Sequence, residues 1–291
     1  MGGLCPRRGR SCPVTTAELS SFTASDGYVI RFRRWPAQHC RGVVLAVHGI
    51  QSHSGWYEWS SQLLAAAGFT VYFADRRGSG LNGLQRGHAA HGERLINDVR
   101  ALRLRALDEH AASLPVTLLG VSWGGKIATA AACLFPDEFQ RLALLYPGLV
   151  PRLQPTWSQR LRLKLARQFE IVKRHIPIPL DDPALFTQIP DWQQFIREDP
   201  LALHTVTSSL LNAGTDLDRI VTRTLHSLPA PVLLMLAGDD QIINNQKTLQ
   251  LFSRLPQKQV QSRVWSDARH TLEFEPQRDQ IFQHLTDWLL N

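Results

Sequence analysis

Cysteine is scarce and scattered, with four residues in 291 (Cys5, Cys12, Cys40 and Cys133). That is too few for a disulfide framework in a chain of this length, and no pair sits at zinc-like spacing. No H-E-x-x-H motif or Cys/His cluster occurs, so no metal is implied, and nothing calls for an organic cofactor. No run approaches the ~20 apolar residues needed to cross a bilayer. The opening MGGLCPRRGRSCP has arginines but no apolar stretch behind them, which argues against a secretory signal. Pro6 stands where an N-acylation pattern wants Ser or Thr. Residues 1–13 are therefore expected to be a flexible tail, and the compartment cytoplasmic with reduced thiols. Internal repeats and low-complexity tracts are missing too. With 44% apolar residues the chain is not globally disordered.

What is present is the length and rhythm of a large α/β domain. Val14–Thr23 and Gly27–Trp35 read as strands around the Asp26-Gly27 turn signal. The short apolar run 42–47 suits a strand buried on both faces of a parallel sheet. Helical spacing over 56–68, a β-rich run at 70–74, a helix near 93–109, a strand at 115–121, an Ala-rich helix near 126–134 and a strand at 140–146 follow in alternation. Such alternation predicts βαβ units and a mainly parallel sheet with helices on both faces. Pro147-Gly148 breaks the rhythm, and up to about Leu228 proline-separated helical patches appear with no buried strand. The pattern resumes with a strand at 231–237, a helix near 246–255, a strand at 259–265 and a helix opening at Pro276. The expected organisation is a core of residues 14–147 and 229–291, with 148–228 inserted as a helical cap.

Gly120-Val121-Ser122-Trp123-Gly124-Gly125 fits G-x-S-x-G, with a buried strand before it and a helix after it. A nucleophile raised on a sharp strand-to-helix turn sits in strained backbone, so its flanking residues must be small. The bland alternative is a Ser-Gly loop at a helix start. A serine hydroxyl needs a general base and a group that orients the base. In this architecture these follow in the order Ser, acid, His, each just past a strand. Gly238-Asp239-Asp240 supplies an acid after one strand, and Ser266-Asp267-Ala268-Arg269-His270 supplies a histidine after the next. His284, the other histidine beyond that acid, falls inside the last helix and reads as a solvated face residue. Asp240 has the better spacing; Asp239 competes with it or supports the turn. Acyl transfer also needs backbone N–H donors for the oxyanion. Trp123, after the serine, supplies one, and the loop Val47-His48-Gly49-Ile50-Gln51-Ser52-His53 supplies the other at Ile50. His48 and His53 are expected to hold that loop through hydrogen bonds.

Together HGIQSHSGWY, DRRGSG (Asp75–Gly80), GVSWGG, GDDQII and ARHTLEFE resemble the α/β-hydrolase superfamily, most of all its monoacylglycerol lipase and lysophospholipase-like branch, which also has serine-peptidase relatives. The resemblance covers roughly 43–147 and 229–291. It implies an α/β-hydrolase fold, Ser122 as nucleophile, Asp240 as acid, His270 as base, and Ile50 and Trp123 as oxyanion donors. That branch usually shows His and Met around the serine, where this chain has Val121 and Trp123. The indole of Trp123 is expected to narrow or reshape the acyl pocket.

The expected activity is hydrolysis of carboxylic esters with apolar acyl groups, monoacylglycerol-like or lysophospholipid-like, without cofactor. An amidase or peptidase using the same triad is the alternative within enzymes, and a silent ligand-binding scaffold the alternative outside them. Aromatic residues of the cap (Trp157, Phe169, Phe186, Trp192, Phe195) either cover the acyl chain or form ordinary cap core. The net charge of +7 is local. Residues 151–180 hold seven basic side chains and one acidic one, a net +6, which leaves 25 against 24 elsewhere. Trp157, Leu161, Leu165, Phe169 and Val172 form one helical stripe, flanked by Arg160, Lys164, Arg167 and Arg174. Either the stripe packs on the core with the basic groups in water, or the segment contacts an anionic membrane peripherally. Nucleic acid is not expected as a partner, because the charge accompanies no binding motif.

Overall fold

The computed structural model describes residues 15–111, 113–152 and 175–291. The N-terminal tail and most of the basic segment, including Trp157, Arg160, Lys164, Arg167 and Phe169, lie outside the described residues.

Glu18–Thr23 (β1) and Val29–Trp35 (β2) pair antiparallel around the Asp26-Gly27 turn, with Ile30, Phe32 and Trp35 turned inward. Next come Gly42–Val47 (β3), Phe69–Ala74 (β4), Val116–Val121 (β5), Arg141–Leu145 (β6), His175–Pro177 (β7), Thr205–Thr207 (β8), Val232–Ala237 (β9) and Val260–Trp265 (β10). Eight of them form one sheet in the order β1-β2-β4-β3-β5-β6-β9-β10. From β4 to β10 every neighbouring pair is parallel, and β2 lies antiparallel to β4. The chain thus has the α/β-hydrolase fold expected of it.

The helices are Glu58–Ala66 (α1), Gly92–Leu107 (α2), Gly124–Leu134 (α3), Pro190–Glu198 (α4), Ser208–Thr224 (α5), Asn245–Phe252 (α6) and Arg278–Leu290 (α7). Period-two alternation explains how the sheet meets them. Val43, Leu45 and Val47 point into one apolar cluster with α2, α3 and α5, while Val44 and Ala46 point into another with α1 and α7. Strands covered on both faces must be largely apolar, as β3 and β9 are throughout and β5 is except at the buried Thr117.

Two details of the sequence reading change. Between 148 and 228, where no buried strand was expected, β7 and β8 form a short antiparallel ribbon with Val206 and Thr207 buried. Three-residue strands are too short to leave a periodic signal. The last helix, expected from about Pro276, begins at Arg278, whose N–H donates to the Glu275 carbonyl. The segment 148–228 is also not uniform in its packing. Leu210, Ala213, Leu217 and Val221 recur at helical spacing and bury α5 against α2 and α3. Lys126 of α3 and Asp218 of α5 form an ion pair at 2.5 Å across this contact. Residues 178–203, by contrast, abut the carboxyl ends of the parallel strands, the place where open α/β sheets carry their sites.

Candidate active site

Ser122 follows the last residue of β5 and is separated from α3 only by its N-cap residue, Trp123, with φ at +48°. This left-handed backbone in a non-glycine residue is strained, and the surroundings hold it. The Ser122 N–H donates to the Leu145 carbonyl (3.0 Å), while the Ser122 carbonyl accepts from Gly125 (2.8 Å) and Gly148 (2.6 Å). The small neighbours are sterically required. A Cβ at Gly120 would lie 2.7 Å from that of Ala128, and one at Gly124 would lie 2.3 Å from the Val47 carbonyl oxygen.

The loops after β9 and β10 bring two further side chains to this point. His270 Nε2 lies 2.8 Å from Ser122 Oγ, and His270 Nδ1 lies 2.8 Å from Asp240 Oδ2. An ionised carboxylate can only accept, so with Asp240 ionised Nδ1 carries the imidazole proton and Nε2 accepts from the serine hydroxyl. The other oxygen of Asp240 accepts the N–H groups of Ile242 and Ile243, both at 2.8 Å. Asp240 and His270 are buried. Asp239, the competing acid, lies 3.2 Å from the Arg269 guanidinium. Of the two aspartates, Asp240 is the one against the imidazole. The ring of His270 is packed edge-on by Tyr146 (centroids 4.6 Å apart) and by Phe186 (5.9 Å).

The loop after β3 approaches from the other side, where a Cβ on Gly49 would lie 3.2 Å from that of Ser122. Its two histidines act as struts. His48 Nε2 accepts the Arg76 N–H (2.9 Å), so Nδ1 is the protonated nitrogen and donates to the Gly49 carbonyl (2.8 Å). Burial and the nearby Arg76 charge hold His48 well below the ordinary histidine pKa, which keeps it neutral. His53 Nδ1 accepts from Gly55, which directs Nε2–H to Asp199 Oδ2 (2.9 Å), where Trp56 Nε1–H also donates (2.6 Å).

Asp199 belongs to the segment after α4, so that contact ties the inserted residues to the core. Gln51 adds two more ties, its side chain donating to Leu180 and its carbonyl accepting from Leu203. Phe186, Trp192 and Phe195 interlock with Trp56 and Phe274. The indole of Trp123 lies beneath the Arg76 guanidinium and against Gly214 of α5. Ile50 and Trp123 therefore flank Ser122 in the chain segments that border it. The sequence reading did not single out Asp75, Arg76, Tyr146 or Asp199. Asp75 and Arg76 were quoted only within DRRGSG, and the other two have no local pattern.

Glu273, three residues beyond His270, is buried, and its Oε1 accepts the Ser60 N–H in the first turn of α1 (2.9 Å). Its Oε2 has no partner among the described residues. Burial raises this carboxyl to about 7. A folded-state pKa above the unfolded one means that the folded chain binds more protons between roughly pH 4.5 and 7. Stability is therefore lost as pH rises through that window. Glu273→Gln keeps the acceptor for Ser60 and removes the charge. Its melting temperature relative to wild type should rise from pH 5 to pH 8, by the equivalent of up to about 3 kcal/mol.

The chain as a whole is similar to known proteins. Residues 38–277 match the Hydrolase_4 family model, described as serine aminopeptidase, S33. The chain is 26% identical to a monoacylglycerol lipase of Mycolicibacterium smegmatis, over 95% of this chain and 98% of that one. It is 24% identical to phospholipase YtpA of Bacillus subtilis, over 86% and 95% respectively. Among solved structures, a monoacylglycerol lipase of Paleococcus ferrophilus superposes with a TM-score of 0.80 at 25% identity, covering 89% of this chain and 98% of that one. A soluble variant of the Saccharomyces cerevisiae monoglyceride lipase superposes at 0.84 and 20% identity, covering 96% and 97%. With a fold and a family match that extend over most of its length, the chain belongs to the Hydrolase_4 (serine aminopeptidase, S33) family of α/β-hydrolases.

Proposed function

We propose that this protein is a serine hydrolase that cleaves carboxylic esters with apolar acyl groups, of the monoacylglycerol or lysophospholipid kind, through an acyl-enzyme. The observation that carries the reading is His270 lying 2.8 Å from both Ser122 Oγ and Asp240 Oδ2 on parallel-strand termini. In the proposed reaction Ser122 Oγ attacks the acyl carbonyl while His270 Nε2 takes its proton. Asp240 holds the imidazole and stabilises its charged form. The N–H groups of Ile50 and Trp123 receive the oxyanion. His270 then returns the proton to the departing alcohol and activates the water that clears the acyl group. Esters are preferred over amides because the relatives named above are lipases and a phospholipase. The aromatic contacts of Phe186, Trp192 and Phe195 beside the site favour an apolar acyl group. We take 178–203 as the lid, and the basic residues of 151–174 as the part that meets an anionic interface.

Hydrolysis rates over esters of increasing acyl length, with glycerol and phospho head groups and matched amides, test this reading. The expected profile favours medium or long acyl esters over the amides by orders of magnitude. Activity confined to short water-soluble esters would remove the lipid assignment, and preference for the amide would replace it. In the same assay, reversing Arg160, Lys164 and Arg167 should weaken turnover on anionic vesicles and spare soluble esters.

A further inference from the structure

Arg76 is a buried charge that the reading above leaves unused. Its side chain is almost fully enclosed, forms no salt bridge among the described residues, and leaves Nε and Nη1 without hydrogen-bond partners there. Enclosing a guanidinium without a carboxylate is costly, so the contacts that hold it are informative. One nitrogen, Nη2, donates to two successive carbonyls, Gly49 (3.0 Å) and Ile50 (2.9 Å). The guanidinium carbon lies 4.9 Å from the centroid of the Trp123 ring. The backbone N–H of Arg76 fixes His48, which donates to the same Gly49 carbonyl.

These contacts adjoin the two groups read as oxyanion donors: the Gly49 carbonyl shares its peptide with the Ile50 N–H, and the indole belongs to the residue that carries the other N–H. The Gly49–Ile50 peptide is trans and planar, so its N–H points opposite its carbonyl. With the Gly49 carbonyl held by Arg76 and His48, the Ile50 N–H is turned away from Arg76. The other donor is the N–H of Trp123, whose indole lies under the same guanidinium. A cation bound to a carbonyl also polarises the peptide and strengthens its N–H as a donor. Lysine has no planar guanidinium to lie over the indole while its terminal nitrogen reaches both carbonyls.

We propose that Arg76 is a positioning residue for the oxyanion hole, aiming the Ile50 and Trp123 N–H groups and placing a buried positive charge behind them. The proposal rests on the Ser122 reading given above. Burial lowers the Arg76 pKa only to about 10, so the group stays charged at neutral pH. A preorganised charge in a water-poor site acts mainly on the state in which the oxyanion develops. Losing it should therefore lower kcat and leave KM nearly unchanged.

The test compares the full-length wild type with Arg76→Met and Arg76→Lys, using a soluble p-nitrophenyl ester and an alkyl boronic acid as the tetrahedral mimic. Arg76→Met should lower kcat roughly 100-fold, keep KM within about threefold, and weaken the boronic acid by a comparable factor. Arg76→Lys, which keeps the charge and loses the planar face over the indole, should fall between it and wild type. If Arg76→Met does not fold, the same pattern in Arg76→Lys carries the test. A kcat within threefold of wild type overturns the proposal, as does a loss of kcat with unchanged boronic acid affinity. Failure of both variants to fold assigns Arg76 a structural role and overturns it as well. Labelling of wild type by a serine-reactive phosphonate separates the two readings. An unlabelled wild type retires the Ser122 assignment, whereas a labelled wild type with an unimpaired Arg76→Met retires only this one.

Discussion

Ser122→Ala should abolish labelling by a serine-reactive phosphonate and lower kcat on a p-nitrophenyl ester by about 10⁶-fold, with the protein still folded. The alanine also relieves nothing that holds the loop. The left-handed backbone at 122 is fixed by main-chain hydrogen bonds to Leu145, Gly125 and Gly148, none of which involves the hydroxyl. The melting temperature should therefore stay near that of wild type, and the loss of activity cannot be ascribed to unfolding. Equal labelling of wild type and Ser122→Ala would remove the nucleophile assignment.

Asp240→Asn should lower kcat by about 10⁴-fold at neutral pH, and the reason lies in the contacts of the other carboxylate oxygen. The Ile242 and Ile243 N–H groups both point at Oδ1, so an amide at 240 must place its carbonyl oxygen there. Its NH₂ group then faces His270 Nδ1, which has to accept. The proton moves to Nε2, the nitrogen that should receive the proton of Ser122. Asp239→Asn is the natural comparison, since Asp239 touches Arg269 and not the imidazole. It should keep activity within about threefold. If Asp239→Asn proved the more damaging of the two, the orienting acid would have been misassigned.

Much of this was legible before any coordinates. Parallel strands covered on both faces are near-continuous apolar runs, and β3 and β9 announced themselves in that way. G-x-S-x-G was readable because a nucleophile on a sharp turn tolerates only small neighbours, and the clashes at Gly120 and Gly124 supply the reason. Asp240 and His270 were expected together because each lies in the loop just past a strand, and neighbouring parallel strands bring those loops close despite 30 residues of separation. Spacing alone left Asp239 open, because adjacent residues at a turn differ only in the direction their side chains take.

Other parts had no sequence signal. Asp199 lies 146 residues from His53 and 143 from Trp56, and neither pairing has a local pattern to announce it. The stretch 148–228 read only as proline-separated helical patches, and no local pattern told that one of them, α5, seats on α2 and α3 and not on the strand termini. The basic stretch was visible as charge, and residues 153–174 remain known only as sequence.

By itself, the sequence determined the layer order, the strand that raises Ser122 and the loops that deliver Asp240 and His270, because periodicity and turn chemistry are local and act through neighbouring residues. Tertiary structure alone decided which aspartate meets the imidazole, which protonation state His48 adopts, and that the guanidinium of Arg76 is buried behind the loop after β3. Those outcomes depend on directions and distances between segments far apart in the chain, which no local pattern encodes.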